Sequence, residues 1–176
     1  MLMISLKKID KKEQHSHAHN LLKECLKPFD IEYCESMLKF GEHGKPELKD
    51  RGDIHFNLSH ADGIAACIVS ERECGIDCEA VREYRPKVAQ RVFTPEELKL
   101  FESAPENERD LLFFQLWTLK ESFIKAVGRG LSYPMNTVGF SFEGDTISCT
   151  DNNYSFRQYI LRDGEYVVSV CERING

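Results

Sequence analysis

The chain is predicted to adopt an α+β fold. Three observations carry that expectation. Short apolar or alternating runs that read as strands gather towards both ends of the sequence, one long apolar helix ends at Gly128, and strands and helices do not alternate with the regularity a parallel sheet requires. With 176 residues the chain can bury roughly 70% of its unfolded surface, so one compact unit needs no linker.

The elements follow in order. Residues 1–7 read as a strand and 13–26 as a helix, because Ala18, Leu21, Leu22, Cys25 and Leu26 recur at helical spacing before Pro28 stops the run. Short strands are expected at 31–33 and 55–58. Residues 64–70 form a continuous apolar strand, and a turn at 72–74 would lead it as a hairpin into a strand at 75–79. Thr94-Pro95-Glu96-Glu97 has a hydroxyl at the N-cap, a proline in the first turn and a glutamate three residues on, a capping box that opens a helix to about 101. Ser103-Ala104-Pro105-Glu106 repeats the signal and opens the long helix. Beyond Ser132, runs at 138–142, 146–149, 154–161 and 166–171 are punctuated by Glu143-Gly144-Asp145 and Asp163-Gly164, which predicts an antiparallel meander.

Composition narrows the function. Lysine and arginine total 23 against 29 aspartates and glutamates, a net charge of -6, and no basic run is interleaved with aromatics, so nucleic acid is not an expected partner. The seven cysteines are odd in number and lack C-x-x-C spacing, as expected of thiols in a reducing compartment. The N-terminus does not read as a signal peptide and no apolar run is long enough to span a membrane, so the expected location is cytoplasmic.

The chemistry concentrates in two segments. In Gly75-Ile76-Asp77-Cys78-Glu79 the acids are two apart on a strand, so Asp77 and Glu79 point to one side and Cys78 to the other. Two carboxylates on one face repel, and a hard divalent cation relieves that. Mg²⁺ takes one or a few protein carboxylates and leaves its other positions to water and phosphate oxygens, so the pattern fits a site for a diphosphate. The second segment is Trp117-Thr118-Leu119-Lys120-Glu121-Ser122-Phe123-Ile124-Lys125, where Glu121 and Lys125 are neighbours on one helical face in the favourable acid-first order. Taken alone, each has a plainer reading: solvated acids at a strand end, and an ordinary surface ion pair.

Together with Phe56-Asn57-Leu58-Ser59-His60 and Gly44-Lys45-Pro46, in this order and spacing, the two segments resemble 4'-phosphopantetheinyl transferases of the surfactin-synthetase-activating (Sfp) type, over about residues 41–142. The resemblance implies two similar α+β halves related by a pseudo-twofold, 1–72 carrying nucleotide contacts and 73–176 the metal site, with coenzyme A in the cleft between them. It implies Mg²⁺, with Mn²⁺ able to stand in, held by Asp77, Glu79 and Glu121, and Glu121 and Lys125 as catalytic residues. Lys45, Pro46, Ser59, His60 and Lys125 would bind coenzyme A. The serine proton would pass to Glu121 or to a metal-bound water. Glu97 falls where the family carries an active-site glutamate, but the capping box already explains it. Lys45 and His60 could equally be a loop lysine and a turn residue.

The implied reaction moves the 4'-phosphopantetheine arm from coenzyme A to a serine of an acyl or peptidyl carrier protein. A basic and apolar stretch near Arg85, Lys87, Val88, Val92 and Phe93 is the expected docking surface on a monomeric enzyme, against the plainer reading of a solvated connector. A coenzyme A-binding protein without transferase activity, and a different Mg²⁺-dependent phosphotransfer or hydrolase reaction, are the competing functions. On the early helix, His15, His17 and His19 cannot all share a face, and read as a surface cluster in place of the basic residue that relatives tend to offer the 3'-phosphate.

Overall fold

The structure, a computed structural model, describes residues 1–8 and 10–174. Strand β1 (Leu2–Leu6) is followed by α1 (Lys11–Leu26), the short strands β2 (Leu38–Phe40) and β3 (Pro46–Leu48), then β4 (His55–Ala61) and β5 (Ile64–Ser70). The chain continues through β6 (Cys74–Ala80), α2 (Pro86–Val92), α3 (Pro95–Ser103), α4 (Arg109–Val127), β7 (Phe140–Glu143), β8 (Thr146–Cys149), β9 (Tyr154–Leu161) and β10 (Tyr166–Arg173). The α+β class is as the sequence predicts.

Two antiparallel three-stranded sheets dominate, ordered β1-β5-β4 and β6-β10-β9. Their topology repeats: a first strand, helix, a small two-stranded hairpin (β2-β3 or β7-β8), then two strands of which the last pairs with the first. Ile64, Ala66 and Ile68 of one sheet meet Ile76, Cys78, Val168 and Val170 of the other in a single apolar cluster. On the far face of the first sheet, α1 sets Leu22, Cys25 and Leu26 against Phe56, Cys67 and Val69. On the far face of the second, α4 sets Leu116, Leu119 and Phe123 against Val167 and Cys171. Helix, sheet, sheet and helix therefore stack in layers, each burying one face of its neighbour.

Three expectations fail for identifiable reasons. Residues 31–33 form no strand; Ile31 is buried in the α1 core while its N–H bonds to Leu26 O at 3.4 Å, so the segment completes a helix end. The hairpin expected to join β5 to β6 does not form, because β5 is already flanked by β1 and β4 and offers no free edge. The C-terminal meander splits in two: β7 pairs with β8 and β9 with β10, and between them Asp151 Oδ1 accepts from Asn153 N at 2.9 Å in a local turn. The hairpin β2-β3 was not expected; its strands are too short for a periodic signal, and it turns through Gly44 at φ 79°.

Gly75 sets the distance between α4 and β6. A Cβ there would lie 2.0 Å from Ser122 O and 2.4 Å from Ala126 N, both backbone atoms of α4. Only the absence of a side chain lets the helix come close enough for residues 121 and 125 to reach the acids. Gly75→Ala is expected to destabilise the fold by about 3 kcal/mol, the upper end of overpacking costs, because backbone cannot rotate away; urea unfolding checks this, and a loss under about 1 kcal/mol would contradict it.

Candidate active site

The site is built on the outer edge of β6. That strand pairs with β10 on one side only, which leaves the N–H and C=O groups of Cys74, Ile76 and Cys78 facing the first sheet. Unpaired buried backbone groups are costly, and here side chains satisfy them. Asn57 Oδ1 accepts from Ile76 N at 2.9 Å and Ser59 Oγ from Cys78 N at 3.2 Å. Lys125 Nζ donates to Ile76 O at 3.1 Å, and Lys45 Nζ to Cys74 O at 3.1 Å. Four side chains thus take the place of a neighbouring strand, and three of them are residues singled out by sequence: Ser59, Lys125 and Lys45.

Asp77 stands at the centre. Lys125 Nζ lies 2.7 Å from its Oδ1, and Ser59 Oγ donates to the same oxygen at 2.9 Å. The second oxygen, Oδ2, is buried and has no partner among the described residues. Glu121, one helical turn before Lys125, is pushed up to about 7 by burial and by the facing carboxylates of Asp77 and Glu79, despite the opposing charge of Lys125. Burial works against the Lys125 charge, but the contact with Asp77 outweighs it and raises the ammonium above its usual range, so it stays protonated. Glu79 bends towards Arg82, 2.9 Å away, and keeps partial exposure.

This donor set suits a hard divalent cation. An orphaned carboxylate oxygen beside a carboxyl driven towards neutrality is an arrangement a positive charge would relieve. Among the described residues no three of histidine, cysteine, aspartate or glutamate converge into a closed metal cage. An ion that keeps water and phosphate oxygens in its shell needs no such cage.

Lys45 and Pro46 join Glu121, Lys125 and Asn57 in lining a cleft of about 260 Å³ between the hairpin β2-β3 and α4. Lys45 also donates to Ala126 O at 2.8 Å, placing a cation at the C-terminal end of α4 where the helix dipole favours it. His60 is not brought in; it is exposed on the face of β4 opposite Ser59. The early histidines do cluster, with the His15 and His19 rings 4.2 Å apart and His19 Nδ1 at 2.5 Å from Tyr33 OH.

The expected docking stretch divides. Arg85 and Lys87 are exposed and Val88 half-buried, but Val92 and Phe93 are buried, packed with Phe101 and Phe113, so they offer no docking surface. The turn of α2 that carries them faces the core. Tyr84, Arg85 and Val88 instead line a slot of about 180 Å³ with Glu79, Phe113 and Trp117, next to the acids.

Sequence reasoning gave Lys120 no role, yet its ammonium is fully buried at 2.7 Å from Glu97, which also accepts from Thr94 N and Phe140 N. The capping box assigned to Glu97 forms, and the glutamate additionally pins α3 to α4 and β7. Only its position inside an apolar helix could have marked Lys120 as buried.

Fold and seam define a two-sheet α+β protein with acids and lysines arranged along an edge strand. Residues 73–171 match the family described as the 4'-phosphopantetheinyl transferase superfamily, and the chain belongs to it. Among curated relatives, 4'-phosphopantetheinyl transferase gsp of Aneurinibacillus migulanus is 40% identical over 101 residues, 57% of this chain and 42% of that protein. A 4'-phosphopantetheinyl transferase of Bacillus subtilis is 33% identical over 140 residues, 76% of this chain and 62% of that one. Sfp of Bacillus subtilis strain 168 is 35% identical over 104 residues, 59% and 46% respectively. The chain spans about half the length of these relatives.

Three outcomes follow from the electrostatics. Because Glu121 binds its proton more tightly folded than unfolded, stability without divalent cations should fall as pH rises from about 5 through about 7, and Glu121→Gln should flatten that fall. Added Mg²⁺ at about pH 8 should raise the melting temperature of the parent and not of Glu121→Gln; equal responses would remove Glu121 from the metal set. Lys120→Ala, which strands Glu97 in the core, should cost about 3–5 kcal/mol in chemical unfolding.

Proposed function

We propose that the protein transfers the 4'-phosphopantetheine arm of coenzyme A to a serine hydroxyl of an acyl or peptidyl carrier protein and releases adenosine 3',5'-bisphosphate. The observation that carries the reading is the Asp77 carboxylate, with one oxygen held by Lys125 and Ser59 and the other buried and, among the described residues, unpaired. Family membership and the match over 73–171 support it.

Asp77, Glu79 and Glu121 would hold Mg²⁺. The ion would supply charge neutralisation on the diphosphate. Asp77 is oriented for that task by Ser59 and Lys125, so one of its oxygens cannot swing away. Lys125, kept charged by Asp77, places a fixed positive charge where negative charge grows on the departing 5'-phosphate. The serine oxygen attacks the phosphorus that carries the pantetheine arm, the bond from that phosphorus to the bridging oxygen breaks, and the bond electrons leave with adenosine 3',5'-bisphosphate. Glu121 stands beside the metal position as one acceptor this chain would offer for the serine proton, although the charge of a bound cation would lower the proton affinity that burial and the neighbouring carboxylates raise. Lys45 and Pro46 line the cleft for the nucleotide end.

The carrier would dock along the exposed face that carries Arg85, Lys87 and Val88, beside the slot with Trp117. Carrier proteins are acidic, and these cations stand close to the acids that would hold the diphosphate. A monomer in the cytoplasm is the setting proposed. No described helix is long and apolar enough to cross a membrane.

Incubating apo carrier protein with coenzyme A and Mg²⁺ should add the mass of one phosphopantetheine to the carrier. Binding of coenzyme A without that gain, or cleavage of its diphosphate without an acceptor, would overturn the reading. Asp77→Ala and Glu121→Ala should each abolish the mass gain while unfolding remains cooperative. Lys125→Ala should lower kcat more than it weakens coenzyme A binding. Reversing Arg85 and Lys87 together to glutamate should raise the KM for carrier, most at low salt, and leave coenzyme A affinity unchanged; unchanged carrier kinetics would place docking elsewhere.

A further inference from the structure

Asn57 lies in β4 two residues before Ser59 and on the same face, at the wall of the cleft that Glu121, Lys125, Lys45 and Pro46 also line. It is only 6% exposed. Ile76 N donates to its Oδ1 at 2.9 Å, and since an N–H can donate only to the carbonyl end of an amide, this bond fixes which end is which. Asn57 lines the cleft, and among the described residues its Nδ2, the end not taken by the strand edge, makes no hydrogen bond. A nearly buried amide with two undonated protons therefore borders the cleft where a phosphorylated ligand would sit.

The cations at the cleft leave most of this role open. Lys125 Nζ already donates to Asp77 Oδ1, Ser59 Oγ and Ile76 O, and Lys45 Nζ to Cys74 O and Ala126 O. Their charge reaches the cleft, but all three protons of Lys125 and two of the three of Lys45 are committed to the protein. A phosphate oxygen also needs directional donors, and a neutral amide provides them without adding repulsion towards a cation held by Asp77 and Glu121.

We propose that Asn57 is a substrate-binding residue, its Nδ2 donating to a phosphate oxygen of coenzyme A while its Oδ1 holds the edge of β6. This rests on the function proposed for the site. The two tasks can be separated, because Ser59, two residues on, already shows that a serine hydroxyl on this face can accept from the β6 edge, at 3.2 Å from Cys78 N. Asn57→Ser therefore keeps an acceptor for Ile76 N and removes the amide protons; Asn57→Asp keeps the acceptor in the same shape.

The test is calorimetric titration of coenzyme A, with Mg²⁺ present, into the parent and both variants, alongside thermal melts. The expected result is a melting temperature near that of the parent and a dissociation constant raised by about tenfold or more in each folded variant. The same titration with adenosine 3',5'-bisphosphate locates the contact: a loss with both ligands puts it on the 5'- or 3'-phosphate of the nucleotide, and a loss with coenzyme A alone puts it on the phosphate bearing the pantetheine arm. Parent-like affinity for coenzyme A in either folded variant would overturn the proposal and leave Asn57 as a strand-edge cap. No binding of coenzyme A by the parent would overturn the proposed function instead, and with it the ligand named here.

Discussion

The organisation of this protein depends on a strand with one neighbour. Strand β6 pairs with β10 and turns its other edge to the first sheet, and among the described residues no strand pairs with it there. The open hydrogen-bonding groups are closed by side chains from three separate elements: Asn57 and Ser59 of β4, Lys125 of α4, and Lys45 of the β2-β3 hairpin. A backbone neighbour would have filled that edge with amides and carbonyls alone. Side chains fill it with an amide, a hydroxyl and two ammonium groups, so satisfying the strand and assembling a polar site are one event.

This explains why the site residues cannot be divided into structural and chemical sets. Lys125 closes the edge at Ile76 O and orients Asp77; Ser59 caps Cys78 N and also donates to Asp77. Substitution at any of them disturbs both the seam and the carboxylate, and activity alone cannot tell the two effects apart. The buried pair of Glu97 and Lys120 plays the simpler part, fixing α4 against α3 and β7 from the side away from the seam. Gly75 fixes the same helix from the seam side by letting its backbone close on β6.

The sequence revealed local chemistry better than long-range pairing. The capping box at Thr94, the end of α4 at Gly128 and the shared face of Asp77 and Glu79 are written in spacings of a few residues, and all appear in the structure. The partner of β6 is not, because adjacency in sequence favours β5 whereas the available edge belongs to β10. Burial was equally hidden for charged and mixed segments. Lys120 reads as one more helix lysine until Glu97 is placed opposite, and Val92 and Phe93 read as a surface patch until α2 is seen to turn them inwards. Asn57 was visible only as part of a motif, since the value of its amide lies in which end the β6 backbone takes.

The pairing of β6 with β10 also bears on the order in which the molecule can form. Asp77 stands opposite Ser169, so the ladder that seats the acids closes a loop containing α2, α3, α4, β7, β8 and β9. Closing so long a loop is entropically unfavourable until much of the intervening chain has collapsed, and such contacts form late. The first sheet, with its strands and covering helix drawn from one continuous stretch, has no such delay. A ribosome-bound chain that has emerged only as far as β9 can therefore hold a finished first sheet and no seated acids, and the site comes into being only when the strand carrying Ser169 arrives.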